Sequence, residues 1–429
     1  MSIARWVIPL FSVVTALYGA PVHAEALESE LDIPILMPKT PKLAEPEALL
    51  RGSVGGQTGV IYKDNIFRAA EDEESDVITY IAPAFRLTTD AEGYSANLTG
   101  QVEGGAYLDN SDNDYVDADL RGSGSYDLTT DSTLLAQGRV RRDHIEVGAF
   151  VDDPVQRASK PTVYYYEDVA LGIKSFVDDE KRVMLLADSQ LRNYNYLNAD
   201  RIGGGSIIQD DRDRYEWYQR GRAGYLLLPN FMPYIEGTYN TRNYDERVDQ
   251  TLLYSRNSEG FGIMGGAVYS FLDNSLTADA SFGFLQQDYD SANLPTVNTL
   301  GAHGVVKWQI NPSLQLHGGF DRSIEEAVLL GTSGYVRSRV TTGIEYLLEP
   351  SWTIGSDFRY TYYDFEVNPQ FAGAQARTDN LYDASAFARF DITEVYNIGL
   401  EYLYTERNSN TPLFDYKSNT VLLRLAADF

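Results

Sequence analysis

The sequence predicts an all-β chain, a transmembrane antiparallel up-and-down β-barrel of about 18 strands (16–18) with short periplasmic turns and longer extracellular loops. Three observations carry that expectation. Stretches of roughly 10–16 residues alternate apolar and polar side chains, the period-two signature of a strand. The breaks between them alternate in length, short and then long. The chain ends such a stretch on an aromatic residue, Phe429. Strands this long exceed the five or six residues usual in soluble sheets and suit a tilted membrane crossing.

Composition removes several classes. The 429 residues carry 35 Lys+Arg against 62 Asp+Glu, a net charge of −27. A general electrostatic grip on nucleic acid needs clustered cations and is excluded as a partner mode. The absence of cysteine excludes a disulfide framework, a thiolate zinc site, a cysteine nucleophile and a lipidated N-terminal Cys. After the first 20 residues no run of about 18 apolar residues occurs, so the chain is not a helical membrane protein.

Taken in order, residues 1–24 read as a cleaved signal peptide. Arg5 is their only charge, the stretch Trp6 to Leu17 is mainly apolar, and Val22-His23-Ala24 presents small residues where a signal peptidase cuts. Without them the chain carries 34 − 62 = −28. Residues 25–52, with four prolines among 25–50 and mixed charge, read as an extended periplasmic segment. Residues 53–429 read as the barrel. Tyr94–Leu108, Asp117–Leu128 and Trp352–Tyr362 each alternate faces throughout. Short breaks fall near Asp90–Gly93, Thr130–Ser132, Asp178–Arg182, Pro229–Met232, Asp273–Ser275, Asn311–Ser313, Glu349–Ser351 and Ile392–Val395. Longer ones include Glu71–Asp76, Asp109–Asp114, Asp152–Pro161, Asp200–Asp213 and Asn368–Thr378. Eight short turns imply nine hairpins, hence about 18 strands with both ends periplasmic. Trp217, Trp308 and Trp352 lie near breaks, where an aromatic girdle would sit, and the tyrosine-rich strand ends Tyr164–Tyr166, Tyr360–Tyr363 and Tyr402–Tyr404 are expected in the same belt. The last strand places Val421, Leu423, Leu425, Ala427 and Phe429 on one face. That ending is similar to the signal read by the barrel assembly machinery.

The start of the barrel is more specific. Gly59-Val60-Ile61-Tyr62-Lys63-Asp64-Asn65-Ile66-Phe67 is followed by Ser75-Asp76-Val77-Ile78, Ala82-Pro83, Tyr107-Leu108-Asp109-Asn110 and Asp114-Tyr115. This resembles the outer-membrane β-barrel porin family that accompanies exopolysaccharide and capsule synthesis proteins in Gram-negative bacteria. The architecture of that family would cover residues 52–429 and its motif about 54–115. The resemblance implies an outer-membrane location and a role in polysaccharide export. It supplies no catalytic residue.

Chemistry is sparse. After residue 24 only His144, His303 and His317 remain. His144 follows Asp143 directly, so on a regular strand the two face opposite ways and form no acid–base dyad. Folding the hairpin about Asn311–Ser313 sets His303 opposite roughly Phe320 and His317 opposite roughly Val306, about three residues out of step. No serine partner is evident for either. Asp109–Asp114 is rich in carboxylates but lacks the central Gly and closing Glu of an EF-hand loop. No catalytic residue, cofactor or metal is expected.

The polar face is the candidate site. Inward positions include Arg139, Arg141, Arg192, Arg220, Arg222, Arg337, Arg339, Arg359, Arg389 and Arg424, with Tyr107, Tyr218, Tyr234, Glu103, Asp117 and Asp119. A hydrated passage lined this way would touch sugar hydroxyls and carboxylates weakly and repeatedly, as a conduit must. The expectation is therefore an outer-membrane pore for an exopolysaccharide or capsular polysaccharide. Its partners would be outer-membrane lipid, the polymer and a periplasmic polysaccharide-export protein. The alternative is a general or solute-selective diffusion porin.

Overall fold

The computed structural model describes residues 50–148, 158–201, 203–245, 254–271, 275–327, 332–367 and 376–429. The signal-peptide reading, and the segment up to residue 49, lie outside the described residues.

The chain enters the sheet at β1 (Arg51–Lys63), just ahead of the expected boundary at residue 53. There follow β2 (Asp76–Ala91), β3 (Tyr94–Tyr107), β4 (Tyr115–Asp127), β5 (Ser132–Ile145), β6 (Thr162–Phe176) and β7 (Val183–Tyr196). Two short strands, β8 (Ala199–Asp200) and β9 (Ser206–Ile207), form a small ladder of their own in the next loop. The wall resumes with β10 (Arg214–Tyr225), β11 (Phe231–Tyr244), β12 (Ser258–Phe271), β13 (Leu276–Tyr289), β14 (Val297–Asn311) and β15 (Leu314–Glu326). It ends with β16 (Thr332–Glu349), β17 (Trp352–Val367), β18 (Thr378–Asp391), β19 (Tyr396–Ser409) and β20 (Tyr416–Asp428).

Apart from β8 and β9 these form one 18-stranded sheet, which closes when β1 pairs antiparallel with β20 from Gly55↔Asp428 to Lys63↔Thr420. Closure is obligatory in hydrocarbon, where no water can satisfy an open edge. Seven of the eight short turns fall where the sequence places them, and the one at Asp273–Ser275 lies partly outside the described residues. Gly93 takes φ +84° in the tight turn between β2 and β3, a conformation a side chain would strain.

The two faces separate by chemistry. Val60, Ile81, Leu120, Val169, Ile235, Phe282 and Leu423 are exposed on the outside, the band that lipid covers. Trp308, Trp352, Tyr396 and Phe429 ring the short-turn end, while Tyr165, Tyr215 and Trp217 ring the long-loop end. The belt is narrower than expected in one respect. Tyr164, Tyr166 and Tyr363 are buried inside the barrel, because each is one residue out of phase with the outward set.

The register at β14–β15 also departs from the sequence expectation. A bulge between Gln309 and Asn311 shifts the ladder, so His303 faces Asp321 and His317 faces Lys307. One extra residue on one strand moves every partner beyond it.

Candidate functional site

The barrel interior between β6 and β13 is built as rows of side chains running across the strands. Tyr166, Tyr194, Arg214 and Tyr244 are direct cross-strand neighbours on β6, β7, β10 and β11. The Arg214 guanidinium lies 4.1 Å from the Tyr194 ring and 5.6 Å from that of Tyr244. The next row alternates charge: Asp168, Arg192, Glu216, Arg242. Nearer the short-turn end Arg220 faces Asp188 at 2.8 Å, and Arg222 faces Glu236 at 2.6 Å while reaching Asp279 at 3.2 Å. Tyr234 donates to Asp279 at 2.5 Å and lies beneath Arg222, 3.9 Å from ring centre to guanidinium. Cross-strand ion pairs and cation–π contacts of this kind hold long side chains flat against the wall.

The two upper rows help to line a cavity of about 150 Å³, bounded by Arg192, Arg212, Arg214, Arg242 and Arg256, with Glu216, Glu326 and Tyr196. Arg214 bonds Glu216 at 2.8 Å, Arg242 pairs with Glu326, and Tyr244 donates to Glu326 at 2.6 Å. Arg212 stacks on Tyr196 at 4.0 Å. Its Nε is buried with no hydrogen-bond partner among the described residues. The volume is below the roughly 300–1,000 Å³ of enclosed ligand pockets. In the loop above, Asp213 accepts the Tyr196 amide at 2.6 Å, and burial raises its carboxyl pKa above the ordinary range, with Asp210 and Asp245 adding to the effect.

The remaining expected lumen residues are distributed around the wall. Arg139 pairs with Asp119 at 2.5 Å, and Arg141 with Asp143. Arg337 bonds Asp321 at 2.8 Å and Glu325 at 3.1 Å, and Arg339 lies 3.8 Å from Asp321. Arg359 is 3.9 Å from Asp383, while Arg389 donates to Thr353 at 3.2 Å and lies 3.4 Å from Asp391. Arg424 lies across Gly399, where a Cβ would come within 2.8 Å of its Nε. Tyr218 lies under Arg192 at 5.6 Å, and Glu103 accepts the Tyr115 hydroxyl at 2.8 Å. Tyr107 faces inward but is buried, packing with Ile61, Ile78, Tyr115 and the loop residues Ile66 and Phe67.

The motif at the start of the barrel serves strand ends. Asp64 accepts the Asn419 amide and its side-chain Nδ2, each at 2.6 Å, tying β1 to β20. Asn65 donates to the Ala69 and Lys417 carbonyls at 2.8 and 2.9 Å. Asp76 accepts from the amides of Val77, Leu108, Asp109 and Asn110, and Asp114 accepts the Tyr107 amide at 2.7 Å.

One expectation is overturned. His144 and Asp143 do not diverge: His144 Nδ1 lies 2.9 Å from Asp117 Oδ2, and donor atoms of Asp117, Asp143 and His144 lie within 4.8 Å of one another. The β4–β5 ladder ends at Ala118↔Arg142, so beyond it β5 is paired only with β6 and the ring turns between the strands. His317 likewise gains an acid, Asp357, at 2.8 Å. Sequence reasoning missed Arg212, Arg214, Arg242 and Arg256. The shared parity of Arg212 and Arg214, matched by that of Tyr194 and Tyr196, was the available signal.

Residues 49–429 match the model of a protein family described as Putative beta-barrel porin 2. Comparison with curated proteins finds no match. Among solved structures, a mutant ferric enterobactin receptor from Pseudomonas aeruginosa aligns at 9% identity and TM-score 0.47, covering 90% of this chain and 81% of that one. The siderophore receptor PirA from Acinetobacter baumannii aligns at 11% identity and TM-score 0.47, with 90% and 81% coverage. The alcaligin outer membrane receptor from Bordetella pertussis aligns at 12% identity and TM-score 0.41, with 90% and 77% coverage.

Proposed function

Because the chain belongs to the beta-barrel porin 2 family of outer-membrane barrels, we propose that it is a passive conduit for a polysaccharide leaving the cell. The observation that carries this reading is the arginine–tyrosine wall from β6 to β13. Its guanidiniums already share their acids, so a passing sugar carboxylate exchanges with Glu216 or Glu326 and no bond chemistry is needed. Tyrosine rings add flat apolar faces ending in a hydroxyl. Contact is weak and repeated, which lets a polymer leave. A signal peptide delivers the chain, the barrel assembly machinery inserts it, and a periplasmic polysaccharide-export protein feeds it.

The test is a gene deletion complemented with wild type or with the pair Arg212→Gln and Arg242→Gln. Deletion should leave polymer synthesis intact and remove polymer from the surface, and the variant should restore surface polymer only in part at wild-type barrel levels. Normal surface polymer in the deletion strain, with free passage of small solutes through the purified barrel, establishes the diffusion porin instead.

A further inference from the structure

Near the long-loop end of β4 and β5, beside the β6 edge of the arginine–tyrosine wall, one imidazole and two carboxylates converge. Donor atoms of Asp117, Asp143 and His144 all lie within 4.8 Å of one another, and the His144 side chain is 1% exposed. We propose that these three residues bind one divalent first-row transition-metal ion, Zn²⁺ being the occupant their chemistry fits.

A nitrogen and two carboxylate oxygens form the mixed donor set that suits zinc. Tetrahedral zinc at about 2.0–2.1 Å from each donor places the donors roughly 3.4 Å apart, so atoms already within 4.8 Å of one another have little distance to close. The neighbouring groups supply the orientation that bound metals require. The Tyr164 hydroxyl donates to Asp143 Oδ2 at 3.0 Å, and the Tyr115 ring stacks on His144 at 4.3 Å between centroids. Tyr115 in turn donates to Glu103 at 2.8 Å. Charge matches as well. Glu103, Asp117, Asp119 and Asp143 against Arg139 and Arg141 sum to −4 + 2 = −2, which a dication neutralises. The side chains of Asp117 and Arg141, 18% and 24% exposed, leave an approach from the lumen.

Arg141 pairs with Asp143 and so competes with the ion. That competition gives the proposal a signature that diffuse binding to acidic loops lacks. The experiment is calorimetric titration of the full-length barrel in detergent with ZnCl₂ after a chelator wash, repeated with Co²⁺ to read the ligand-field spectrum. Folding is checked in each variant by heat-modifiable mobility.

One saturating equivalent should bind in the micromolar range. His144→Ala and Asp117→Asn should each weaken it at least tenfold, and Arg141→Gln should tighten it several-fold. Asp112→Asn, in an exposed loop, should change nothing. If folded His144→Ala and Asp117→Asn barrels bind Zn²⁺ as wild type does, or folded wild type shows no saturable site, the proposal is overturned and any uptake is adventitious binding to surface acids. If His144→Ala does not fold, Asp117→Asn and Arg141→Gln decide it by their opposite signs.

Discussion

His317 on β15 and Asp357 on β17 hydrogen-bond at 2.8 Å although β16 lies between them. Both face Gly343, and a Cβ built there would overlap both side chains. Glycine is the only residue that lets the pair meet across the intervening strand.

Gly343→Ala should therefore break this bond and destabilise the barrel by about 1–3 kcal/mol, the range of local overpacking, with the partly exposed His317–Asp357 pair adding little. Urea unfolding in lipid vesicles measures it. His317→Gln should lose less, and Gly343→Ala added to His317→Gln should lose little more. Full additivity would show that the bond is not what Gly343 protects.

Arg222 holds two acids, Glu236 and Asp279. Arg222→Gln should lower stability by about 3–5 kcal/mol, because both carboxylates remain inside without their cation. Adding Glu236→Gln should recover part of that loss. Reversing the charges of Arg220, Arg222, Arg337 and Arg339 together would press acid against acid at Asp188, Glu236 and Asp321, so neutral replacements are the informative probes of conduction.

Phe429 stacks edge-on against Tyr396 at 5.9 Å, and its backbone exchanges hydrogen bonds with Val54 at 2.8 and 3.2 Å. Deleting it removes a girdle aromatic and the end of the closing ladder together. Outer-membrane levels of heat-modifiable barrel should fall, with degraded material in the periplasm. Unchanged levels would count against an assembly role.

Topology is open to direct labelling. An epitope inserted within Asp109–Asp114, or at the Gly203-Gly204-Gly205 tip, should be reached by antibody on intact cells. One at Asn311–Ser313 should be reached only after permeabilisation.

Asp213 supplies a pH dependence. Its folded-state pKa is raised by burial, so its contribution to loop stability is present at low pH and lost as pH rises through the folded value. Hydrogen exchange of the loop at 197–213, corrected for intrinsic rates, should show more opening as pH rises past the ordinary carboxylate range. Asp213→Asn should flatten that dependence.

The sequence made the wall legible, because lipid outside and water inside impose a period of two that few other environments sustain over such lengths. Turns were legible for the same reason: the pattern stops at them. What stayed hidden depends on events across strands. The pairing across the β14–β15 turn, with its shift between Gln309 and Asn311, is set by both strands together, so the one-residue difference at His303 and His317 could not be read. The inward turn of His144 follows from where the β4–β5 ladder ends, which neither strand records alone. Arg214 meets Tyr194 because β7 and β10 are adjacent across a long loop that contains a ladder of its own.

The clasp between Asp64 and Asn419 joins residues at opposite ends of the barrel's sequence. Until Tyr416–Asp428 has been made, β1 has only one neighbour, and its other edge presents unpaired amides and carbonyls. A ribosome that stalls late, or a protease that trims the last strand, leaves a nearly complete cylinder that no bilayer can accept, since the missing staves expose two polar rims to hydrocarbon. Insertion is thus all-or-none for the whole polypeptide. A helper that escorts it must keep the first strand from pairing with foreign edges for as long as the rest takes to arrive.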